Sequence, residues 1–257
     1  MNLLHAALLI LAYMTAWFGV AVWRRDNGLA DVAWGLGFAI LSLLPWVLHP
    51  EQTLPGAYWG LALMVWLWAL RLSGHIALRN SRKGGEDFRY KQWRQDWGAN
   101  WVWRTYLQVF LLQGFFMWVI ALPIQTAGIA TAETWSGWRW IGVAVFLFGW
   151  LWESVADYQL LQFTSDKSNK GKIMTTGLWR YSRHPNYFGE CLLWWGIWLY
   201  ALSFAGAWWS AIGPLTLTWL LLRVSGVPML EAKYKDNPAY QEYKQRTPAF
   251  WPWGKRG

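Results

Sequence analysis

Seven apolar stretches of roughly 20 residues set the strongest limit on how this chain of 257 residues folds. A helix of about that length crosses the apolar core of a bilayer, so these stretches predict membrane spans rather than core helices of a soluble domain. The spans are expected near residues 3–23, 29–48, 57–78, 101–122, 138–162, 186–204 and 208–228. We therefore predict an all-α, polytopic membrane protein with about seven transmembrane helices, folded as a single domain over 1–257.

Composition agrees with a membrane protein. Hydrophobic residues make up 55% of the chain and tryptophan contributes 26 residues, a content that suits interfacial aromatic belts and close aromatic packing. The single cysteine, Cys191, excludes an internal disulfide and argues against a Cys-rich zinc site. We expect it to be a small buried thiol in an apolar helix.

The formal net charge of +9 is distributed by topology rather than gathered in one patch. Twenty of the 23 Lys and Arg residues lie in the connections after the first, third and fifth spans, or in the C-terminal tail with the end of the seventh span. The alternate connections, 49–56, 123–137 and 205–207, have none. The positive-inside rule then predicts an N-terminus outside and a C-terminus in the cytoplasm. The expected partner of this charge is the lipid bilayer, not nucleic acid.

The stretch 177–190, Gly-Leu-Trp-Arg-Tyr-Ser-Arg-His-Pro-Asn-Tyr-Phe-Gly-Glu, joins a polar loop to an apolar run. Pro185 suits the first turn of a helix, where its missing N–H is no loss. The free N–H groups of such a helix start, flanked by Lys172, Arg180 and Arg183, suit a phosphate group. A basic loop that merely caps a membrane helix is the alternative.

Polar residues continue into the helix that this stretch begins. Asn186 and Glu190 are four residues apart, and Tyr187 and Glu190 are three apart, so the three share one helix face. At shallow membrane depth such a face is expected to point into the protein. A helix start that suits an anion, followed by inward polar groups, fits a nucleotide cofactor with a buried reactive ring.

Two carboxylates lie near the end of the fifth span. Glu153 and Asp157 are four residues apart, so they share a helix face and repel each other unless they have partners. At membrane depth each costs about 2.5 kcal/mol or more without compensation. Ligand hydroxyls or amides could supply those partners, and a structural ion-pair network is the alternative.

Charged residues also enter the second and third spans. Asp31 lies in the first turn of the second span, where the helix dipole alone would favour an acid, but Trp34, Gly35 and Phe38 on its face could border a ligand cavity. Arg71 lies about two turns inside the third span and is expected to face the bundle and a carboxylate or phosphate.

The octapeptide Arg183-His184-Pro185-Asn186-Tyr187-Phe188-Gly189-Glu190 resembles the C-terminal signature of membrane-bound steroid 5α-reductases and of sterol C14 and C7 reductases. A looser form, Arg-His-Pro-x-Tyr-x-Gly, occurs in isoprenylcysteine carboxyl methyltransferases. Glu86-Asp87-x-Arg89-Tyr90 resembles a motif of proteins related to the steroid 5α-reductases. The blocks 225–231 and 238–243 are similar to the closing segments of the same family.

This resemblance implies NADPH as the cofactor and a lipophilic 3-oxo-Δ4 steroid or sterol-like enone as the substrate. It implies reduction of the C4–C5 double bond of that substrate. The protein is expected in the inner membrane of a bacterium, with the cofactor site facing the cytoplasm. We expect a monomer. Human-type steroid 5α-reductases carry a Gln-Glu pair on their second span and a Tyr on the third, and this chain departs from that pattern, since it has Asp31 and no Gln-Glu pair.

The resemblance assigns roles to named residues. The expected catalytic residues are Asp31 and Tyr187. The resemblance places most of the cofactor site in the C-terminal half of the chain, about 138–257. Asp157 is expected at the nicotinamide end of the cofactor, and Arg89 and Tyr90 at the adenosine half of the cofactor. The full set of expected cofactor-binding residues is Arg71, Arg89, Tyr90, Glu153, Asp157, Lys172, Arg180, Arg183, His184, Asn186, Tyr187, Glu190 and Tyr240.

Two other classes remain as alternatives. One is a membrane methyltransferase of the isoprenylcysteine type that uses S-adenosylmethionine, which the 86–90 motif disfavours. The other is a receptor or transporter without catalysis. The polar residues gather in the predicted cytoplasmic half, and this asymmetry argues against a path through the membrane.

Overall fold

The structure is a computed structural model that describes residues 3–48, 54–83, 86, 88–130 and 132–252. Its regular elements are helices. Within these ranges no β-strand occurs, and one isolated β-bridge joins Glu133 to Phe204. The all-helical class predicted from the apolar runs is confirmed.

The helices are numbered α1 to α12 in chain order. The first seven are α1 Leu3–Arg24, α2 Leu29–Leu48, α3 Gly56–Lys83, α4 Phe88–Trp97, α5 Trp101–Thr105, α6 Leu112–Ile120 and α7 Leu122–Ile129. The other five are α8 Gly137–Ser165, α9 Pro185–Ala201, α10 Ile212–Trp219, α11 Val227–Lys233 and α12 Pro238–Arg246. Two π-helical segments, Tyr106–Leu111 and Leu220–Val224, continue α5 and α10, and short 3₁₀ turns connect other elements.

Five helical segments of the described chain are long and apolar enough to cross a membrane, and a bent pair makes a sixth if it is one span. The five are Leu3–Arg24, Leu29–Leu48, Gly56–Ser81, Gly137–Ser165 and Ala207–Lys233, and the bent pair is Arg89–Ile120 with Leu122–Ile129. These helices fit a multi-pass membrane protein in a lipid bilayer.

The exact number of spans stays a prediction, because length and hydropathy select five or six segments of the described chain where the sequence predicted about seven. The stretch predicted to span at 186–204 forms α9, which has only 17 residues. A helix of that length reaches about 25 Å, less than the roughly 30 Å of a bilayer's apolar core. The orientation of the termini stays a prediction.

A bend of 52° follows the fourth predicted span. Beyond the bend, part of the segment that the sequence predicted to be a connection is helical. The helix breaks at Ala121, two residues before Pro123, which lacks an N–H and is tolerated only in the first turn of a helix. The sequence analysis treated 123–137 as a connection, but α7 is a helix whose residues 122–127 are all buried.

The described residues form two compact units. The first unit takes its residues from Met1–Ser136 and Ala201–Gly213, and the second from Gly137–Tyr200 and Pro214–Gly257. In the first unit, α2 lies against α3 through Gly35, where an added Cβ would be 2.9 Å from the Ala69 carbonyl oxygen. The Ser73 hydroxyl donates to the Val32 carbonyl at 2.9 Å and fixes the register of these two helices.

Glycines bring α8 and α9 into backbone contact in the second unit. A Cβ on Gly149 would be 2.5 Å from Leu193 N, and one on Gly196 would be 2.5 Å from Phe146 N. Gly142 meets Tyr200 in the same way. The two helices are therefore antiparallel, and small residues at the contact let their backbones touch.

Gly149→Ala should destabilise the protein by about 1–3 kcal/mol, because the added methyl group must push apart two backbones that already touch. Gly19→Ala is the matched control, since an added Cβ there meets nothing within 4 Å. Thermal unfolding in detergent should give a lower midpoint for the first variant and an unchanged or higher midpoint for the second. Equal midpoints would contradict the packing described.

Candidate functional site

Four polar side chains come together on the facing surfaces of α8 and α9. Asn186 Nδ2 donates to Asp157 Oδ1 at 3.2 Å. Glu153, Asp157 and Glu190 are buried, with exposed fractions of 2%, 7% and 8%. Three buried carboxyl groups in one small region are costly unless each is neutralised or hydrogen-bonded. We call these four residues the acid–amide cluster.

Glycine packing places the acid–amide cluster. A Cβ on Gly189 would lie 2.6 Å from Glu153 N and 2.7 Å from Glu153 Cβ. Because Gly189 has no side chain, the Glu153 turn of α8 rests directly on α9. The antiparallel register then brings Asp157 beside Asn186, one turn further along α8.

The Asn186 side chain has an acceptor that no group in the described part of the chain bonds. Its Oδ1 is buried and has no hydrogen-bond partner within the residues that the structure describes. Leaving a buried carbonyl oxygen unbonded costs about 1–3 kcal/mol. A ligand N–H or O–H at this position would remove that cost, so the cluster suits a ligand with an amide or hydroxyl donor.

The start of α9 is fixed by its own sequence. Pro185 occupies the first helical position, and His184 N donates to Ser182 Oγ at 3.1 Å. The His184 ring stacks on the Tyr187 ring with centroids 5.4 Å apart and planes 8° apart. The Tyr187 ring is therefore held by the side chain that precedes the helix.

Arg183 is buried, and its guanidinium contacts the C-terminal part of the same unit. It forms an ion pair with Glu231, with its Nη2 2.7 Å from Oε1. It also donates to the Lys244 carbonyl at 3.2 Å and to the Thr247 carbonyl. These bonds give Arg183 a structural role that the sequence did not indicate, and its cofactor role stays a prediction.

Glu231 joins three basic side chains. Besides Arg183, its carboxylate lies 3.3 Å from His184 Nε2 and 3.0 Å from Lys244 Nζ. The carboxylate therefore ties α11 and α12 to the residues that begin α9. Sequence analysis noted the 225–231 block but did not assign Glu231 to the site, because its partners lie far away in the chain.

Two tyrosines of α12 complete this region. Tyr240 stacks on Tyr234 at 5.0 Å, and the Tyr243 hydroxyl donates to the Trp179 carbonyl. Burial raises the pKa of Tyr240 to about 12, and the Glu231 carboxylate adds to this rise. Burial also raises the pKa of Tyr243. Both phenols therefore stay protonated at neutral pH and act as neutral hydrogen-bonding groups.

The remaining basic residues of the predicted cofactor site lie at the surface of the second unit. Lys172 and Arg180 are exposed, and the Arg180 guanidinium lies 6.0 Å from the Tyr181 ring centroid. Exposed cations are free to bind an anion from solution, which their predicted role requires.

A second polar cluster lies in the first unit, where Asp31 accepts hydrogen bonds from Arg89 and Tyr90. Arg89 Nη2 is 2.8 Å from Asp31 Oδ2, and the Tyr90 hydroxyl donates to Asp31 Oδ1 at 2.5 Å. Gln113 Nε2 lies 3.4 Å from the Tyr90 hydroxyl and donates to it. The sequence assigned Asp31 to the substrate and Arg89 and Tyr90 to the cofactor, whereas the structure joins the three in one cluster.

The neighbouring Glu86 ties this cluster to the connection after α1. Its Oε1 accepts from Asn27 N at 2.9 Å and from Arg94 Nη2 at 2.7 Å. Arg94 also donates to the Arg25 carbonyl at 3.0 Å. Within the 86–90 motif, Glu86 thus fixes the backbone and the Arg89-Tyr90 pair holds Asp31. Asp87 lies outside the described residues.

Arg71 is partly buried on α3 in the first unit. Its predicted contact with the cofactor stays a prediction.

The family of the chain is shown by comparison with known proteins. The chain belongs to the family described as "Protein of unknown function (DUF1295)", whose model matches residues 17–247. This family includes membrane proteins that are similar to steroid 5α-reductases.

One relative is the uncharacterized protein C594.04c of Schizosaccharomyces pombe (strain 972 / ATCC 24843). It is 25% identical over 275 aligned positions, which cover 91% of this chain and 75% of the relative. No solved structure matches the chain.

Proposed function

We propose that the protein is an NADPH-dependent membrane reductase that saturates the C4–C5 double bond of a 3-oxo-Δ4 steroid or a similar lipid enone. The observation that carries the proposal is the acid–amide cluster beside a basic loop, on two helices, α8 and α9, that otherwise pack through glycine and apolar residues. The substrate would enter from the bilayer. The proposed location is the inner membrane of a bacterium, with the basic loop on the cytoplasmic side.

The residues of the second unit fit this cofactor. A nicotinamide carries a carboxamide and a ribose with hydroxyl groups, and the unbonded Asn186 Oδ1 would accept from such a donor. Asp157 can accept another hydrogen bond, and Glu153 and Glu190 are buried on the same two helices. The exposed Lys172 and Arg180 would bind the phosphates by charge. When bound, NADPH supplies the hydride that adds to the β carbon of the enone.

The reaction also needs a hydrogen-bond donor at the carbonyl oxygen, where negative charge develops. The Tyr90 hydroxyl has one proton, which it donates to Asp31 in this structure. We propose that this proton turns from Asp31 to the carbonyl oxygen when the substrate binds, while Gln113 holds the Tyr90 oxygen and Arg89 neutralises the Asp31 carboxylate. This assignment moves Tyr90 from the predicted cofactor site to the catalytic group and keeps Asp31 essential to the reaction.

Cofactor choice is tested by ligand-induced stabilisation. A ligand that binds only the folded protein raises its stability by about 2.7 kcal/mol at 100 times its Kd. NADPH should raise the thermal midpoint more than NADH, because exposed basic residues favour the additional 2′-phosphate. Equal shifts of the thermal midpoint with both nucleotides would contradict the expected preference for the 2′-phosphate. A shift with S-adenosylmethionine alone would favour the methyltransferase class.

Asp157→Asn should weaken NADPH binding by about 1–3 kcal/mol, the usual cost of spoiling a hydrogen bond to a charged group. The substitution keeps the shape of the side chain and removes its charge. Asp236→Asn, at an exposed position of the same unit, is the matched control and should bind NADPH as the wild type does. Cofactor titration by tryptophan fluorescence measures the NADPH affinity of both variants. An unchanged affinity in Asp157→Asn would mean that Asp157 on α8 does not bind the cofactor.

A further inference from the structure

We infer that a groove at the end of α8 binds an anionic phospholipid, with the acyl chain along the exposed face of α8 and the headgroup at the loop that follows. The inference does not depend on the proposed reductase activity. It rests on a groove, on an apolar stripe that leads to it and on lysines in the loop between its two walls.

The groove has a volume of about 310 Å³ and lies between the last turns of α8 and the segment 174–177. Tyr158, Phe163 and Met174 give it apolar walls, and Gln159 and Gln162 provide amide groups. A groove with apolar walls and a few polar groups suits an amphipathic ligand.

Gly177 shapes the groove. Its φ of +60° is in the left-handed region that favours glycine. A Cβ there would lie 2.5 Å from Gln159 Oε1, and the same Oε1 accepts from Leu178 N at 2.9 Å. The loop is therefore held at a fixed distance from α8.

An apolar stripe on α8 runs into the groove. Exposed apolar side chains recur at helical spacing along one face of this membrane helix and end at Tyr158, which is 61% exposed. The members before Tyr158 are Trp140, Ile141, Leu147, Phe148, Leu151 and Val155. An acyl chain along this stripe would place its headgroup at the groove, whereas a nucleotide would make no use of the stripe.

The loop between the two walls of the groove is basic. The segment 159–177 contains three lysines and a single acid, Asp166. Lys167 and Lys170 are exposed, and Asn169 Nδ2 donates to the Phe163 carbonyl at 3.1 Å, which ties the lysine-bearing loop to the groove wall. Asp166 already accepts from Ser168 N at 2.8 Å. Lysines next to the end of a membrane helix attract anionic headgroups.

The test measures lipid binding by native mass spectrometry of the full chain in a neutral detergent. Phosphatidylglycerol should bind more tightly than phosphatidylcholine. Lys167→Ala/Lys170→Ala should weaken phosphatidylglycerol binding about thirtyfold, which corresponds to about 1 kcal/mol per lysine. Lys172 is left unchanged because it belongs to the proposed cofactor residues. The control pair Lys91→Ala/Lys235→Ala removes the same charge at exposed positions elsewhere and should bind as the wild type does.

A second variant tests the groove itself. Met174→Ala removes an apolar wall and keeps every charge, so it should also weaken phosphatidylglycerol binding, with helix content unchanged by circular dichroism. Equal binding of the two lipids, equal loss in both lysine pairs, or unchanged binding in Met174→Ala would overturn the inference. Displacement of phosphatidylglycerol by inorganic phosphate would also overturn it, because a soluble anion would then account for the site.

Discussion

Asp31→Asn should lower the turnover of steroid reduction about 100-fold, as loss of general-acid assistance does, while NADPH affinity hardly changes. The asparagine keeps the shape of the side chain but replaces an oxygen that accepts from Arg89 or Tyr90 with an amide that donates. Arg89 then loses its ion pair and the Tyr90 hydroxyl loses its orientation. Rates with progesterone or testosterone and cofactor titrations on the same samples separate the two effects.

Tyr90→Phe should give a loss of similar size, because it removes the proton itself. Residues that act as a unit are not additive, so the double variant Asp31→Asn/Tyr90→Phe should be little slower than either single variant. Asp96→Asn is the control, since Asp96 is exposed and bonds Gln92 one turn earlier in α4. If Asp31→Asn reduces steroids at the wild-type rate, the cluster does not polarise the ketone, and Tyr187 or Glu153 becomes the next candidate.

Glu231→Ala should lower the free energy of unfolding by about 3 kcal/mol, the cost of removing one partner of a buried ion pair. The substitution leaves the guanidinium of Arg183 without its carboxylate, in a side chain that is only 6% exposed. It also removes the group that fixes Lys244 to α11. Chemical unfolding in detergent measures the loss.

Glu242→Ala is the matched control. Glu242 pairs with Arg246 at 2.6 Å, but the two side chains are 59% and 73% exposed. Exposed pairs contribute about 0–1 kcal/mol, so this variant should stay close to the wild type. Equal losses in the two variants would mean that the Glu231 carboxylate does not hold the C-terminal helices.

Local patterns predicted the parts of the fold that depend on neighbouring residues. Apolar length gave α1, α2, α3 and α8, because a helix in a bilayer must satisfy its own backbone and be long enough to cross. The four-residue spacing of Glu153 and Asp157 indicated a shared face, and the hydrogen bond from Asn186 to Asp157 agrees with the expected need for a partner.

Contacts between distant residues could not be read from such patterns. Arg183 and Glu231 are 48 positions apart, and Asp31 and Tyr90 are 59 apart. No periodicity reports which face of one helix meets another over such separations. The sequence therefore assigned Asp31 and Tyr90 to two different roles, and it did not indicate that Arg183 bonds to Glu231 and to C-terminal carbonyls.

The most direct test follows deuterium from the cofactor into the steroid. Purified protein in lipid vesicles is incubated with progesterone and NADPH that carries deuterium at nicotinamide C4, and the product is analysed by mass spectrometry and NMR. We predict a reduced steroid with deuterium at C5 and an equal amount of NADP⁺. Unreduced progesterone and unconsumed NADPH, together with a methylated lipid when S-adenosylmethionine is supplied, would contradict the proposed function.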